Sequence, residues 1–207
     1  MRLGYTLMSE QSGPRELVVH AAGAERAGFD FEVVSDHYFP WLDEMGHSPY
    51  AWSVLGAVTQ VTERVELMTY VTCPLMRYHP VVVAQKAATV DLLSGGRFTL
   101  GLGAGENLNE HVIGEGWPPV NVRHEMLEEA LRIITALFDG GYVNFTGDHF
   151  RVDSLFRPGA RGNGARTLRV GERVEERGGH LRAPGVGDAG KDDPGGAECV
   201  DHSYWCS

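Results

Sequence analysis

Along the first 156 residues, short apolar runs alternate with stretches whose apolar positions recur at helical spacing, and each change of period predicts an element. Residues 3–8 read as a strand. Ser12-Gly13-Pro14 then supplies a helix start, with proline tolerated in a first turn, and Leu17, Ala21, Ala24 and Gly28 follow at the spacing of a helix over 14–28. Residues 31–35 predict a second strand, followed by a polar and aromatic loop over 36–49 and a helix over 50–61. A β-branched run predicts a third strand over 65–72. His79-Pro80 opens a helix in which Val83, Ala87 and Val90 share a face, and Gly95-Gly96 closes it with residues suited to positive φ. Residues 98–102 predict strand four. Leu127, Ala130, Leu131, Ile134, Leu137 and Phe138 mark another amphipathic helix, and 142–145 and 149–152 around Thr146-Gly147-Asp148 predict a hairpin.

Four strand-then-helix units in succession predict an α/β fold with a parallel sheet, either open and doubly wound or part of a barrel. In both cases the chemistry belongs at the C-terminal ends of the strands. The patterning stops near residue 156. From 157 to 207 the chain has 11 glycines, only 6 Leu or Val, and no Ile or Phe, too little apolar surface for a core. An irregular tail is expected there.

Composition narrows the function classes. The formal net charge of −10 falls entirely on the first part, because the 8 basic and 8 acidic residues after 156 cancel; such an acidic balance argues against a nucleic-acid partner. Three scattered cysteines (Cys73, Cys199, Cys206) form no disulfide framework and fit a reducing cytoplasm. The start of the chain lacks the apolar core of a signal peptide, and no run approaches the ~18 apolar residues of a span, so no membrane partner is expected. No metal site is expected either: there is no H-E-x-x-H pattern, and Cys199-x-x-His202-x-x-x-Cys206 lies in the poorly patterned tail.

Three polar clusters follow strands. Ser35-Asp36-His37 with Trp41 pairs a carboxylate and an imidazole with aromatic surface, which suits general acid–base work, although a loop histidine that caps or packs has the same signature. Cys73, after strand three, reads as a small apolar filler more than as a reactive thiol. The run from Gly101 to His111 begins Gly-Leu-Gly-Ala-Gly-Glu-Asn. Alternate glycines let a planar cofactor approach the backbone, or else mark a barrel corner. Glu106 stands where a dinucleotide fingerprint needs its third glycine, and the Walker lysine is missing, so NAD and ATP lose support.

Taken together, Ser35-Asp36-His37 with Trp41, Arg77-Tyr78-His79-Pro80, and Gly103-Ala104-Gly105-Glu106-Asn107-Leu108-Asn109-Glu110 resemble the luciferase-like monooxygenase superfamily. Within it they are most similar to the coenzyme F420-dependent oxidoreductases of the glucose-6-phosphate dehydrogenase type. The resemblance covers residues 1–154 and implies a truncated (β/α)₈ TIM barrel, of about four βα units plus a hairpin. Residues 155–207 do not match, which points to a reading-frame shift near codon 155.

The resemblance further implies that a hydride passes from a hydroxyl-bearing carbon to a deazaflavin. His37 would take the hydroxyl proton, Glu106 would protonate the reduced ring nitrogen, and Trp41 would support the transition state. Asp36, Gly105 and Asn109 match cofactor-holding positions. Tyr70-Val71 aligns with a non-proline cis peptide that would cushion the ring, beside Cys73. The implied substrate is a small molecule such as a sugar phosphate or secondary alcohol, and the implied assembly a homodimer. The alternatives are an FMN-dependent monooxygenase of the same superfamily and a catalytically inactive remnant.

Overall fold

The computed structural model describes residues 1–156 and 169–170. The first strand, β1 (Gly4–Leu7), leads into helix α1 (Pro14–Ala27). Pro14 occupies the first turn, and the free N–H of Gly13 donates to Glu16 Oε2 at 3.0 Å, so the helix start is satisfied by its own first-turn carboxylate. Gly28 ends α1 at φ +91°, a left-handed conformation that a side chain resists. Next come β2 (Phe31–Val34), α2 (Ala51–Val58), β3 (Glu66–Thr69), α3 (Pro80–Ser94) and β4 (Phe98–Leu100). A short helix α4 (Asn107–Glu110) and the long α5 (Val120–Asp139) precede a hairpin of β5 (Gly141–Thr146) and β6 (Arg151–Phe156).

Strands β1 to β4 pair in parallel in sequence order, with Leu7 opposite Val34 and Val34 opposite Thr69. Side chains alternate across a strand, so Leu7, Val34, Leu67 and Leu100 share the face that meets the helices. There they join Leu17 and Ala21 of α1, Leu55 and Val58 of α2, and Val83 and Ala87 of α3 in one buried cluster. Burying each large aliphatic side chain contributes roughly 2 kcal/mol. The cluster continues through Leu127, Ala130, Ile133, Ile134 and Leu137 of α5, which packs on α3 and against the hairpin. Thr6, Phe31, Met68 and Thr99 alternate to the opposite face and stay partly or fully exposed.

Three differences from the sequence expectation have local causes. The strand expected over 65–72 ends at Thr69, where the chain turns through a cis Tyr70–Val71 peptide before Thr72 rejoins the sheet by a single bridge to Leu102. The helix expected over 50–61 stops at Val58, because Thr59 and Thr62 turn their hydroxyls onto the carbonyls of Gly56 and Val58. The third difference corrects the expectation of a strandless tail: Arg169–Val170 forms a fifth parallel strand, β7, opposite Thr99 and Leu100 of β4. An edge strand in a parallel sheet needs main-chain pairing more than an apolar pattern, so two residues in a poorly patterned segment suffice. Strands β1 to β4 and β7 form an open sheet with β1 and β7 at its edges, and β5 and β6 form a separate antiparallel pair. The rest of the expected tail, with Cys199, His202 and Cys206, lies outside the described residues.

Candidate active site

The segments that follow β1, β2, β3 and β4 converge at the C-terminal end of the sheet, and polar side chains join them. Asp36, directly after β2, is only 2% exposed. Its Oδ2 accepts from Trp52 Nε1 at 2.8 Å and Thr72 Oγ1 at 2.9 Å, and its Oδ1 from Tyr78 O–H at 3.2 Å. The Arg77 guanidinium lies 3.7 Å from the same carboxylate and donates to the Asp36 carbonyl at 2.5 Å. A buried carboxylate is tolerated only when paired in this way.

Arg77 reaches the third segment as well. Its Nε donates to Glu110 Oε1 at 3.2 Å, and its backbone N–H to Glu110 Oε2 at 3.0 Å. Burial opposes the guanidinium's charge, but Asp36, Tyr78 and Glu110 outweigh that and push its pKa up. Beside Glu110 on α4, Asn109 Oδ1 accepts from the backbone N–H groups of Tyr38 and Phe39 at 2.7 and 3.1 Å. One arginine and one amide thus bind the loops after β2, β3 and β4 into a single frame.

His37 stands on that frame. Its Nδ1 lies 2.7 Å from Glu10 Oε1, and its Nε2 faces Glu106 Oε1 at 4.0 Å. Trp41 Nε1 also lies 3.0 Å from Nδ1. One ring nitrogen cannot both donate to Glu10 and accept from Trp41. The shorter, charge-assisted contact decides it: Nδ1 carries the hydrogen toward Glu10, leaving the lone pair on Nε2. Burial pushes the Glu10 carboxyl up, but the hydrogen bonds from His37, its own backbone and Ser9, together with His37's charge, bring it below the usual range. Glu10 escaped the sequence reading. The signal was present, because Ser9-Glu10 follows a strand as Ser35-Asp36 does.

The glycine run after β4 packs against the chain's own backbone. A Cβ on Gly101 would collide with the Thr69 carbonyl, one on Gly103 would come within 2.7 Å of Val71 Cγ2, and one on Gly105 within 2.5 Å of Cys73 Sγ. These glycines therefore let the end of β4 close against the 69–73 segment, which presents Tyr70 and Val71, 40% and 38% exposed, as a shelf. Cys73 lies beneath it, buried, its thiol pushed up to about 12 by burial first and then by the Glu110 and Asp36 charges. Such a thiol is packing, not a nucleophile.

The residues expected at the site thus fall into three groups. His37 contacts Trp41 and faces Glu106; Tyr70 and Val71 are exposed where the 69–73 segment meets the end of β4; and Asp36, Asn109 and Cys73 are buried, with Gly105 packed on Cys73. Among the described residues no helix is long and apolar enough to cross a membrane.

Comparison with known proteins identifies the family. The chain is 44% identical over 153 residues to the F420-dependent glucose-6-phosphate dehydrogenase of Amycolatopsis mediterranei, covering 73% of this chain and 46% of that protein. It is 43% identical to the F420-dependent hydroxymycolic acid dehydrogenase of Mycobacterium tuberculosis, covering 74% and 42%. Among solved structures, an F420-dependent secondary alcohol dehydrogenase in complex with an F420-acetone adduct superposes with a TM-score of 0.72 at 37% identity, covering 84% of this chain and 50% of that one. The chain spans about half the length of the curated relatives it matches. The family model for luciferase-like monooxygenase matches residues 1–170, past the expected limit of 154 and through β7. With the parallel sheet and this match in agreement, the chain belongs to the luciferase-like monooxygenase family.

Proposed function

We propose that these residues serve a coenzyme F420-dependent oxidoreductase that removes a hydride from a hydroxyl-bearing carbon of a small substrate, a sugar phosphate or a secondary alcohol. The observation that carries this reading is His37, fixed by Glu10 on Nδ1 and presenting Nε2 to the mouth where Glu106 stands. The residues fit a planar deazaflavin. Tyr70 and Val71 offer an exposed apolar shelf, and the indole of Trp41, 48% exposed, lies beside the His37 ring at a centroid distance of 5.7 Å. Tyr70 and Val71 would hold the ring; Asp36, Cys73, Gly105 and Asn109 would support that shelf and the facing loop from behind.

When bound, the deazaflavin supplies a hydride-accepting carbon. The protein's share is acid–base work and orientation. Nε2 takes the proton from a hydroxyl brought to it, and Glu10 stabilises the imidazolium that results. Trp41 orients the hydroxyl and covers the mouth. Glu106, half exposed and 4.0 Å from Nε2, would donate the proton that the reduced ring takes up and regain one from water.

Fluorescence titration with oxidised coenzyme F420 tests the binding step, and saturable micromolar binding is the expected result. A folded chain that leaves the coenzyme unbound would overturn the reading. In the loaded protein, His37→Ala should lower turnover about a thousandfold, as loss of a general base does, and unchanged turnover would remove His37 from its role.

A further inference from the structure

Behind the Asp36 cluster lies a cation that the site chemistry does not use. Lys86, on α3, has its Nζ shielded from solvent with no hydrogen-bond partner. Aromatic rings surround it: Nζ is 3.1 Å from the ring centroid of Tyr78, 5.0 Å from that of Tyr50 and 5.6 Å from that of Trp52. The negative faces of such rings replace part of the hydration that a buried ammonium loses.

Two walls of this cage also hold the active-site frame. Trp52 Nε1 and Tyr78 O–H donate to the two oxygens of Asp36, and Asp36 is the chain neighbour of His37. The sequence adds an independent point. Lys86 and Lys191 are the only lysines, against 16 arginines, so the ammonium here is an exception in a chain that otherwise carries its positive charge as guanidinium. An arginine is larger and never sheds its proton under ordinary conditions.

We propose that Lys86 is a positioning residue for the His37 site, its ammonium fixing the Trp52 and Tyr78 side chains that in turn hold Asp36. The claim about turnover rests on the proposed function; the claim about the cage does not. The charged and titratable groups facing Lys86 are Asp36 after β2, Tyr50 before α2, and Arg77 and Tyr78 ahead of α3. Burial pulls the Lys86 pKa down to about 8, with Asp36 opposing and Arg77 adding to the shift. Burial and the Asp36 charge push Tyr78 up; burial foremost raises Tyr50. Both phenols therefore stay neutral while the ammonium titrates. The cage consequently loses its charge, and the frame its backing, as the pH rises past about 8.

The test uses the whole chain labelled with ε-¹³C-lysine, which gives two resonances; Lys86→Arg removes one and assigns it. The expected result is a ring-current-shifted Lys86 signal titrating near pH 8, below the ordinary 10.5, with a midpoint that drops further in Asp36→Asn. A Lys86 signal without ring-current shift, or one that titrates at the ordinary value, or one indifferent to Asp36→Asn, would overturn the proposal. In the coenzyme-loaded protein, Lys86→Met should lower kcat about tenfold, in keeping with a small misplacement of the base. Lys86→Arg should restore most of it and abolish the loss of rate above pH 8. If the coenzyme does not bind, the proposed function fails while the NMR result still decides the cage.

Discussion

A neutral imidazole can carry its hydrogen on either nitrogen, and at His37 that choice determines whether a lone pair faces the mouth. Glu10, 2.7 Å from Nδ1, makes the choice. Glu10→Ala should therefore convert a single Nδ1–H tautomer into a mixture, visible in the ¹⁵N shifts of neutral His37. An unchanged tautomer would show that Glu10 is a bystander. At this scale the sequence was legible in position: His37, Trp41 and Glu106 all follow strands, so the strand-end rule placed them at the end of the sheet where they lie together. The frame beneath them was less legible. Arg77 and Glu110 stood within the motifs, but nothing in a separation of 33 positions announces that a guanidinium will meet that carboxylate.

Elements are fastened to one another by carboxylates that accept backbone N–H groups. Glu25 on α1 accepts from Glu63, Arg64 and Val65, the last at 2.9 Å, and so ties the α2–β3 loop to the helix. Glu129 on α5 does the same for the hairpin turn, taking the N–H groups of Asp148, His149 and Phe150. For Glu25, burial pushes the pKa up, but the three backbone bonds and Arg64 outweigh it and the net shift is downward. A carboxyl depressed in the folded state contributes stability above its unfolded pKa near 4.5 and loses it as the pH falls through the folded value. Glu25→Ala should cost about 1–2 kcal/mol at pH 7 after allowance for partial exposure, and less at pH 3, as urea unfolding would show. An equal cost at both pH values would mean that packing dominates. Periodicity revealed the long elements readily, because α1 and α5 bury whole faces. It could not reveal α4, whose four residues (Asn107–Glu110) are too few to show a period, nor β7, which is held to β4 by its main chain.

For the molecule as a whole, the least comfortable group among the described residues is Glu32, in the middle of the sheet on the face that meets the helices. It is 1% exposed, and neither carboxylate oxygen has a hydrogen-bond partner. Burial foremost, then the Glu25 charge, raise its pKa to about 7, with Arg97 opposing. The sign is opposite to that of Glu25: stability is full below the unfolded value near 4.5 and declines as the pH rises toward the folded value near 7. The charged form then costs about 3 kcal/mol at pH 8. Glu32→Leu should raise unfolding stability at pH 8 by an amount of that order and change it little at pH 4; a destabilised variant at pH 8 would refute the assignment. The shelf beside His37 sits in contrasting surroundings. Tyr70 N–H bonds to the Val34 carbonyl at 2.8 Å, Thr72 N–H to that of Gly101 at 2.9 Å, and Gly103 N–H to that of Thr72 at 3.1 Å. In heavy water these three amides should hold their protons while those of the loops around Trp41 and Glu106 exchange. The shelf would then open only when the central sheet itself opens, which gives the mouth one slow wall and two quick ones.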